Sequence, residues 1–185
     1  MVSHFTVAVL FLTSNTLPLH LQFDNFRGPP PAERPIFLVD NDEKDRVLFL
    51  EALRDAGIKN PCRMFATGDE MIEALIEVLQ GTTPPLVCFL DVKMEGMDGL
   101  DVLRWIRLQD ALSEISVIMI SSCQDPRSMH DALRFGAQCY AGKFPSAVQF
   151  RQILAEAEKF SAVACGKSAF NVPCNLLLAM HPALS

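Results

Sequence analysis

Short apolar runs recur through the middle of this chain, and each one stops on a polar side chain. Ile36–Val39 (IFLV) runs into Asp40-Asn41-Asp42, Leu86–Leu90 (LVCFL) into Asp91, Ile115–Ile120 (ISVIMI) into Ser121-Ser122, and Gln138–Gly142 (QCYAG) into Lys143. Runs this short have the length of strands, not of buried helices. Several lack the apolar–polar alternation of a sheet with one wet face, so both of their faces need cover. Cys62–Ala66 (CRMFA) adds a weaker strand.

The segments between the runs supply that cover. Glu43–Ala56 reads as a helix closed by Gly57, and Asp98–Leu108 as another with Asp98 as its cap. Thr67-Gly68-Asp69-Glu70 has the spacing of a capping box, followed by an apolar stripe of Met71, Ile72, Leu75, Ile76 and Leu79. Asp125 and Pro126 open a further helix that Gly136 ends. Phe150, Ile153, Leu154 and Ala157 mark a last amphipathic helix. Alternating strands and helices predict an α/β fold: a five-stranded, doubly wound parallel sheet of the flavodoxin-like kind, with helices on both faces.

The boundaries follow from composition. Arg27–Pro35 (RGPPPAERP) reads as a proline-rich linker. This divides the chain into an unstructured extension over 1–34, a folded domain over 35–160 and a tail over 161–185 with no DNA-binding pattern. A formal net charge of -6 and a pI of about 5.2 argue against general nucleic-acid binding. Phe5–Leu12 (FTVAVLFL) is too short to span a bilayer and lacks the basic flank of a signal peptide. The six cysteines include no CxxC or zinc-finger spacing, and Cys88 and Cys139 lie in strand-like runs. They read as reduced core residues of a cytoplasmic protein. Gly166-Lys167-Ser168 is not a phosphate loop, because Ser161 stands where the first glycine is needed.

In doubly wound sheets, ligands bind beyond the carboxyl ends of the strands. The proposed fold gathers Asp40, Asn41, Asp42, Asp91, Ser121, Ser122 and Lys143 along that one edge. Hard oxygen donors suit Mg²⁺, which takes a few carboxylates and completes its shell with water or phosphate. A hydroxyl and an ammonium suit phosphoryl oxygens, and a central aspartate can act as a nucleophile.

The segment from Ile36 to about Phe160 resembles a response-regulator receiver domain. LVDND is similar to that family's acidic-pocket motif, and LDVKMEGMDG to its phosphoacceptor motif, with Glu95 where proline is common. VIMISS is similar to the apolar run that ends in Thr or Ser, and GAQCYAGK to the G-A-x-x-Y-x-x-K signature. The resemblance implies a phosphorylation-dependent switch, not an enzyme with its own substrate. Asp91 would accept a phosphoryl group from a phosphohistidine on a sensor histidine kinase or a histidine phosphotransfer protein. Mg²⁺ would be held by Asp40, Asn41, Asp91 and the backbone carbonyl of Lys93. Ser121, with Ser122 beside it, and Lys143 would meet the phosphoryl oxygens, and Tyr140 would turn inward as Ser121 moves. Output would pass through protein contact.

Two positions depart from the family pattern. Asn41 stands where a second acid is usual, so weaker Mg²⁺ binding is expected. Phe144 follows Lys143 where proline is usual, and a cis bond before a non-proline residue costs about 3–4 kcal/mol. A trans bond or a strained loop is therefore expected there. These departures leave a pseudo-receiver, binding partners without phosphorylation, as an alternative. A haloacid-dehalogenase-type phosphatase is another, since FLVDND mimics its first motif.

Overall fold

A computed structural model describes residues 30–123 and 125–164, with side chains to residue 160. The apolar run over 5–12, the Gly166–Ser168 motif, Cys165 and Cys174 lie outside the described residues.

Five parallel strands form one sheet: β1 (Ile36–Val39), β2 (Cys62–Phe65), β3 (Val87–Asp91), β4 (Ser116–Ser121) and β5 (Cys139–Gly142), in the order β2-β1-β3-β4-β5. The helices between and after them are α1 (Glu43–Asp55), α2 (Gly68–Leu79), α3 (Gly99–Leu108), α4 (Pro126–Arg134) and α5 (Ala147–Ala164). This is the expected doubly wound architecture. Strand residues alternate between two cores. Phe37, Val39, Cys88, Leu90, Val117 and Met119 face α2, α3 and α4, whereas Ile36, Leu38, Val87, Phe89, Ile118 and Ile120 face α1 and α5. On the second face Phe49, Phe89 and Phe150 meet edge to face, with ring centroids 4.9, 5.1 and 5.9 Å apart. Such pairs contribute about 0.5–1.5 kcal/mol each beyond burial, and here they fix α1 and α5 against the central strand.

Local chemistry sets the helix ends. Asp42, Thr67, Asp98 and Asp125 each accept a backbone N–H of the first turn. Asp42, not Asp40, is thus the cap of α1. Glu70 completes its box one residue early, accepting the N–H of Ala66 at 2.7 Å. Gly57 ends α1 at a φ of 74°, with Gly57 N–H on Arg54 and Ile58 N–H on Leu53. That paired closure needs a left-handed residue, which glycine adopts at no steric cost.

Three details differ from expectation. The α2 stripe is narrower than its sequence suggests, because Ile76 and Leu79 lie on the flank and are exposed, while Met71, Ala74 and Leu75 face the core. Pro31–Glu33 forms a 3₁₀ turn within the stretch read as linker, and Arg34 donates to the carbonyls of Pro84 and Pro85. Arg34 thus ties the start of the domain to the loop before β3. Strands β3 and β4 each end one residue later than read, so Asp91 and Ser121 belong to the sheet, with Asp91 opposite Ile120 and Ser121 opposite Gly142. Burial pushes the thiols of Cys62 and Cys88 up to about 11 and about 12, which fits unreactive packing residues. Among the described residues, no helix is long and apolar enough to cross a membrane.

Gly99 opens α3 directly behind the end of β3. A Cβ there would lie 2.1 Å from the carbonyl oxygen of Asp91. Because the obstacle is backbone, it cannot step aside. Gly99→Ala is expected to destabilise the fold by about 3 kcal/mol or more, beyond the usual range of point substitutions. Denaturant unfolding checks this, and a loss under 1 kcal/mol would contradict it.

Candidate functional site

The register brings the strand ends level. Val39 pairs with Leu90, so Asp40 and Asp91 follow side by side where the winding reverses between β1 and β3. Both are buried, at 2% and 3% exposed, and Ser121 is buried beside them at 3%. Lys143 follows β5 and reaches back across the edge. Its Nζ lies 2.9 Å from Asp40 Oδ2, 3.0 Å from Asp91 Oδ2 and 2.7 Å from Asp45 Oδ2.

The remaining carboxylate oxygens are held by backbone. Asp40 Oδ1 accepts the N–H of Asp42 at 2.9 Å, and Asp91 Oδ1 accepts that of Lys93 at 3.4 Å. Burial pushes the Asp91 carboxyl above its ordinary value, and the hydrogen bond from Lys143 limits that rise. Burial by itself would lower Lys143, but its hydrogen bonds to Asp45, Asp40 and Asp91 outweigh it and raise its pKa. Lys143 therefore stays charged throughout the neutral range.

A second set of contacts organises the loop after β4. Ser121 Oγ accepts the N–H of Cys123 at 3.1 Å, and the Tyr140 hydroxyl donates to the carbonyl of Cys123, also at 3.1 Å. Tyr140 is already buried. Ser122 is exposed and has no bond in this network, and Asn41, directly after Asp40, is exposed. Asp42 spends its Oδ1 on the N–H of Lys44, which caps α1.

Sequence reasoning missed Asp45 and Arg46, which donates from Nη1 to the carbonyl of Asp40 at 2.6 Å. The available signal was position. The first turn of α1 stands over the strand ends, but the sequence could not choose between Glu43 and Asp45.

Residues 36–155 match the response regulator receiver domain. The chain belongs to that family. Receiver domains are self-phosphorylating and self-dephosphorylating switches, not enzymes with a separate substrate, and this sets aside the phosphatase reading. The transcriptional regulatory protein GltR of Pseudomonas aeruginosa is 32% identical over 110 residues, 60% of this chain and 43% of that protein. The chemotaxis protein CheY of the same organism is 30% identical over 108 residues, 58% of this chain and 82% of CheY. The chain thus spans less than half the length of GltR, and most of the length of CheY. Solved receivers share the fold at lower identity. The phosphorylated cyanobacterial phytochrome response regulator RcpA aligns with a TM-score of 0.57 at 24% identity, over 71% of this chain and 96% of RcpA. The Mn²⁺-bound form of Rcp1 aligns with a TM-score of 0.55 at 17% identity, over 75% of this chain and 99% of Rcp1. A receiver domain from a signal transduction histidine kinase of Syntrophus aciditrophicus aligns with a TM-score of 0.58 at 24% identity, over 75% of this chain and 98% of that one.

The donor set of this receiver suits a hard divalent cation through few protein ligands. Among the described residues, no three His, Cys, Asp or Glu side chains form a metal cage. Asp40 and Asp91 nonetheless offer two buried carboxylates side by side, which fits a hard divalent cation that completes its shell with water.

The Lys143–Phe144 peptide is trans, as expected, and the strain falls on Phe144, whose φ is 62°. A bulky residue in the left-handed region costs roughly 1–2 kcal/mol. Phe144 is exposed, so little packing offsets that cost. Phe144→Gly is expected to raise unfolding free energy by about 1 kcal/mol, read from denaturant midpoints; a loss of stability would show that the ring contributes more than its strain. Lys143→Ala leaves three converging carboxylates without a counter-charge, and a loss of about 3–5 kcal/mol at pH 7 is expected. Because its folded pKa is raised, the stability Lys143 contributes is complete below its ordinary value of 10.5 and disappears as pH rises through the folded value. The gap between wild type and Lys143→Ala should hence be constant from pH 7 to 10.

Proposed function

We propose that residues 35–160 work as a phosphorylation-dependent signalling switch with Asp91 as phosphoacceptor. The observation that carries this reading is the pairing of a buried, backbone-anchored Asp91 with Asp40 and Lys143 at the switch point of the sheet. An Asp91 oxygen attacks the phosphorus of a phosphohistidine on a sensor histidine kinase or histidine phosphotransfer protein. The O–P bond forms as the P–N bond breaks, and the electron pair of that bond stays on the imidazole nitrogen. Asp40, Asp91, the Lys93 carbonyl and Asn41 would hold Mg²⁺, which supplies charge neutralisation for the phosphoryl oxygens when bound.

Lys143 is held within 3.0 Å of Asp91, so its ammonium is placed to follow the charge from carboxylate to phosphoryl. Ser121 lies at the end of the neighbouring strand, and its hydroxyl can exchange the Cys123 N–H for a phosphoryl oxygen. That exchange frees Cys123, which Tyr140 also holds, and so re-sets the loop leading into α4. Phosphorylation adds charge and acceptors at one point and shifts the population of an element that has two arrangements.

Incubation with phosphoramidate and Mg²⁺ is expected to yield an acid-stable, base-labile adduct carrying one phosphate. Asp91→Asn should abolish it. No adduct on the wild type, with Asp91→Asn indistinguishable from it, would favour the pseudo-receiver. The amide of Asn41 brings an oxygen but no charge. Asn41→Asp is therefore expected to tighten Mg²⁺ binding by about tenfold in a fluorescence or calorimetric titration, and an unchanged affinity would remove Asn41 from the ligand set.

A further inference from the structure

An ammonium group has three N–H donors and no acceptor. At Lys143 three carboxylate oxygens stand within 3.0 Å of Nζ, one each from Asp40, Asp45 and Asp91. On phosphorylation the Asp91 carboxylate passes its charge to the phosphoryl oxygens, which then compete with Asp40 and Asp45 for the ammonium. The three partners differ in what displacement costs. The side chain of Asp40 is 2% exposed, so losing the ammonium would leave a buried charge without a partner, whereas the phosphoryl group on Asp91 keeps the ammonium close. The side chain of Asp45 is 24% exposed, and water can replace the ammonium there. Yet Asp45 makes the shortest of the three contacts, at 2.7 Å.

We infer that Asp45 is a positioning residue, a latch that holds Lys143 in the resting state and must release it when Asp91 is phosphorylated. The inference rests on the switch reading above and adds to it the contact that opposes the reaction. Asp45 also restores to the cluster the negative charge that Asn41 omits. Phosphoryl transfer itself is unchanged: the Asp91 O–P bond forms, the donor P–N bond breaks, and Lys143 keeps its protons throughout. What changes is the set of partners: the N–H facing Asp91 passes to a phosphoryl oxygen, and the N–H held by Asp45 is released to another.

The test compares phosphorylation rates of the full chain with phosphoramidate and Mg²⁺. Asp45→Asn and Asp45→Ala should both take up phosphate faster than wild type, by about tenfold for a partly buried ion pair. Asp45→Glu keeps a carboxylate and should return toward the wild-type rate. Glu43→Gln removes the same charge from the same helical turn outside the pocket, and should leave the rate unchanged. Melting curves verify that each variant folds, and Asp91→Asn shows that the phosphate is on Asp91. Equal rates for wild type and both removal variants would overturn the latch while leaving the switch intact, as would a Glu43→Gln rate that rises as far as that of Asp45→Asn. Uptake by Asp45→Asn but not by wild type would support the latch in its strongest form. Uptake by neither would overturn the switch, and the latch with it.

Discussion

One ammonium group holds the carboxyl edge of this sheet together. Asp40, Asp45 and Asp91 come from β1's end, α1 and β3, and converge to within 3.0 Å of one point. Without a cation at that point the three would repel, and two of them would be buried charges at the end of a parallel sheet. Lys143 makes the convergence tolerable. Its three contacts also link the first, central and last strands, so the ion cluster is a structural tie as well as the proposed site of phosphorylation. Structure and chemistry here rest on the same hydrogen bonds.

Much of the surrounding backbone can be read as a consequence of placing that ammonium. The Lys143 N–H is fixed on the Ser121 carbonyl at 2.9 Å, and its side chain is fixed by the carboxylates. The chain must then turn into α5 within the three residues 144–146, and the turn is made at Phe144 with a positive φ. Local strain of this kind persists where flanking contacts over-determine a residue. On the other wall, Gly99 lets α3 start against the Asp91 carbonyl, so the strand that ends in Asp91 is backed by helix backbone and not by a side chain. Both features hold the reactive groups rigid from behind, and leave the freedom of movement to the loops in front.

The fold was legible because its signals are local. Apolar runs, caps such as Asp98 and Asp125, and the closing glycines each depend on a few adjacent residues, and all of them point to the same architecture. Asp40, Asp91, Ser121 and Lys143 were legible for a related reason: each directly follows or ends a strand, so topology alone gathers them. Asp45 was not, because its role depends on the rotation of α1 over the strand ends, which is settled by Phe49 packing against Phe89 and Phe150. The hydrophobic surplus at Ile76 and Leu79 misled for a similar reason, since period alone does not tell how wide a face the neighbouring elements cover. The node at Cys123 carries no side-chain signal at all, because both of its bonds are made by backbone.

That node explains how a change of charge could travel without a large movement at its source. The backbone of Cys123 is held twice, through its N–H by Ser121 and through its carbonyl by Tyr140. The two holds come from different strands, so a shift of either side chain changes the balance on one short loop. Ser121 is buried and belongs to the sheet, which leaves its hydroxyl little more than a choice of partner. Under the proposed switch that partner would be a phosphoryl oxygen, the Cys123 N–H would need another acceptor, and the cheapest way would be for its backbone to turn toward water. Tyr140 is then free to follow its own hydroxyl or to stay with the core, where its ring is already packed. Asp125, the cap of α4, stands only two residues beyond Cys123 in the sequence. In the proposed switch, a hydrogen bond exchanged at the strand edge would thus bear on the start of α4 without any large movement of Ser121 itself.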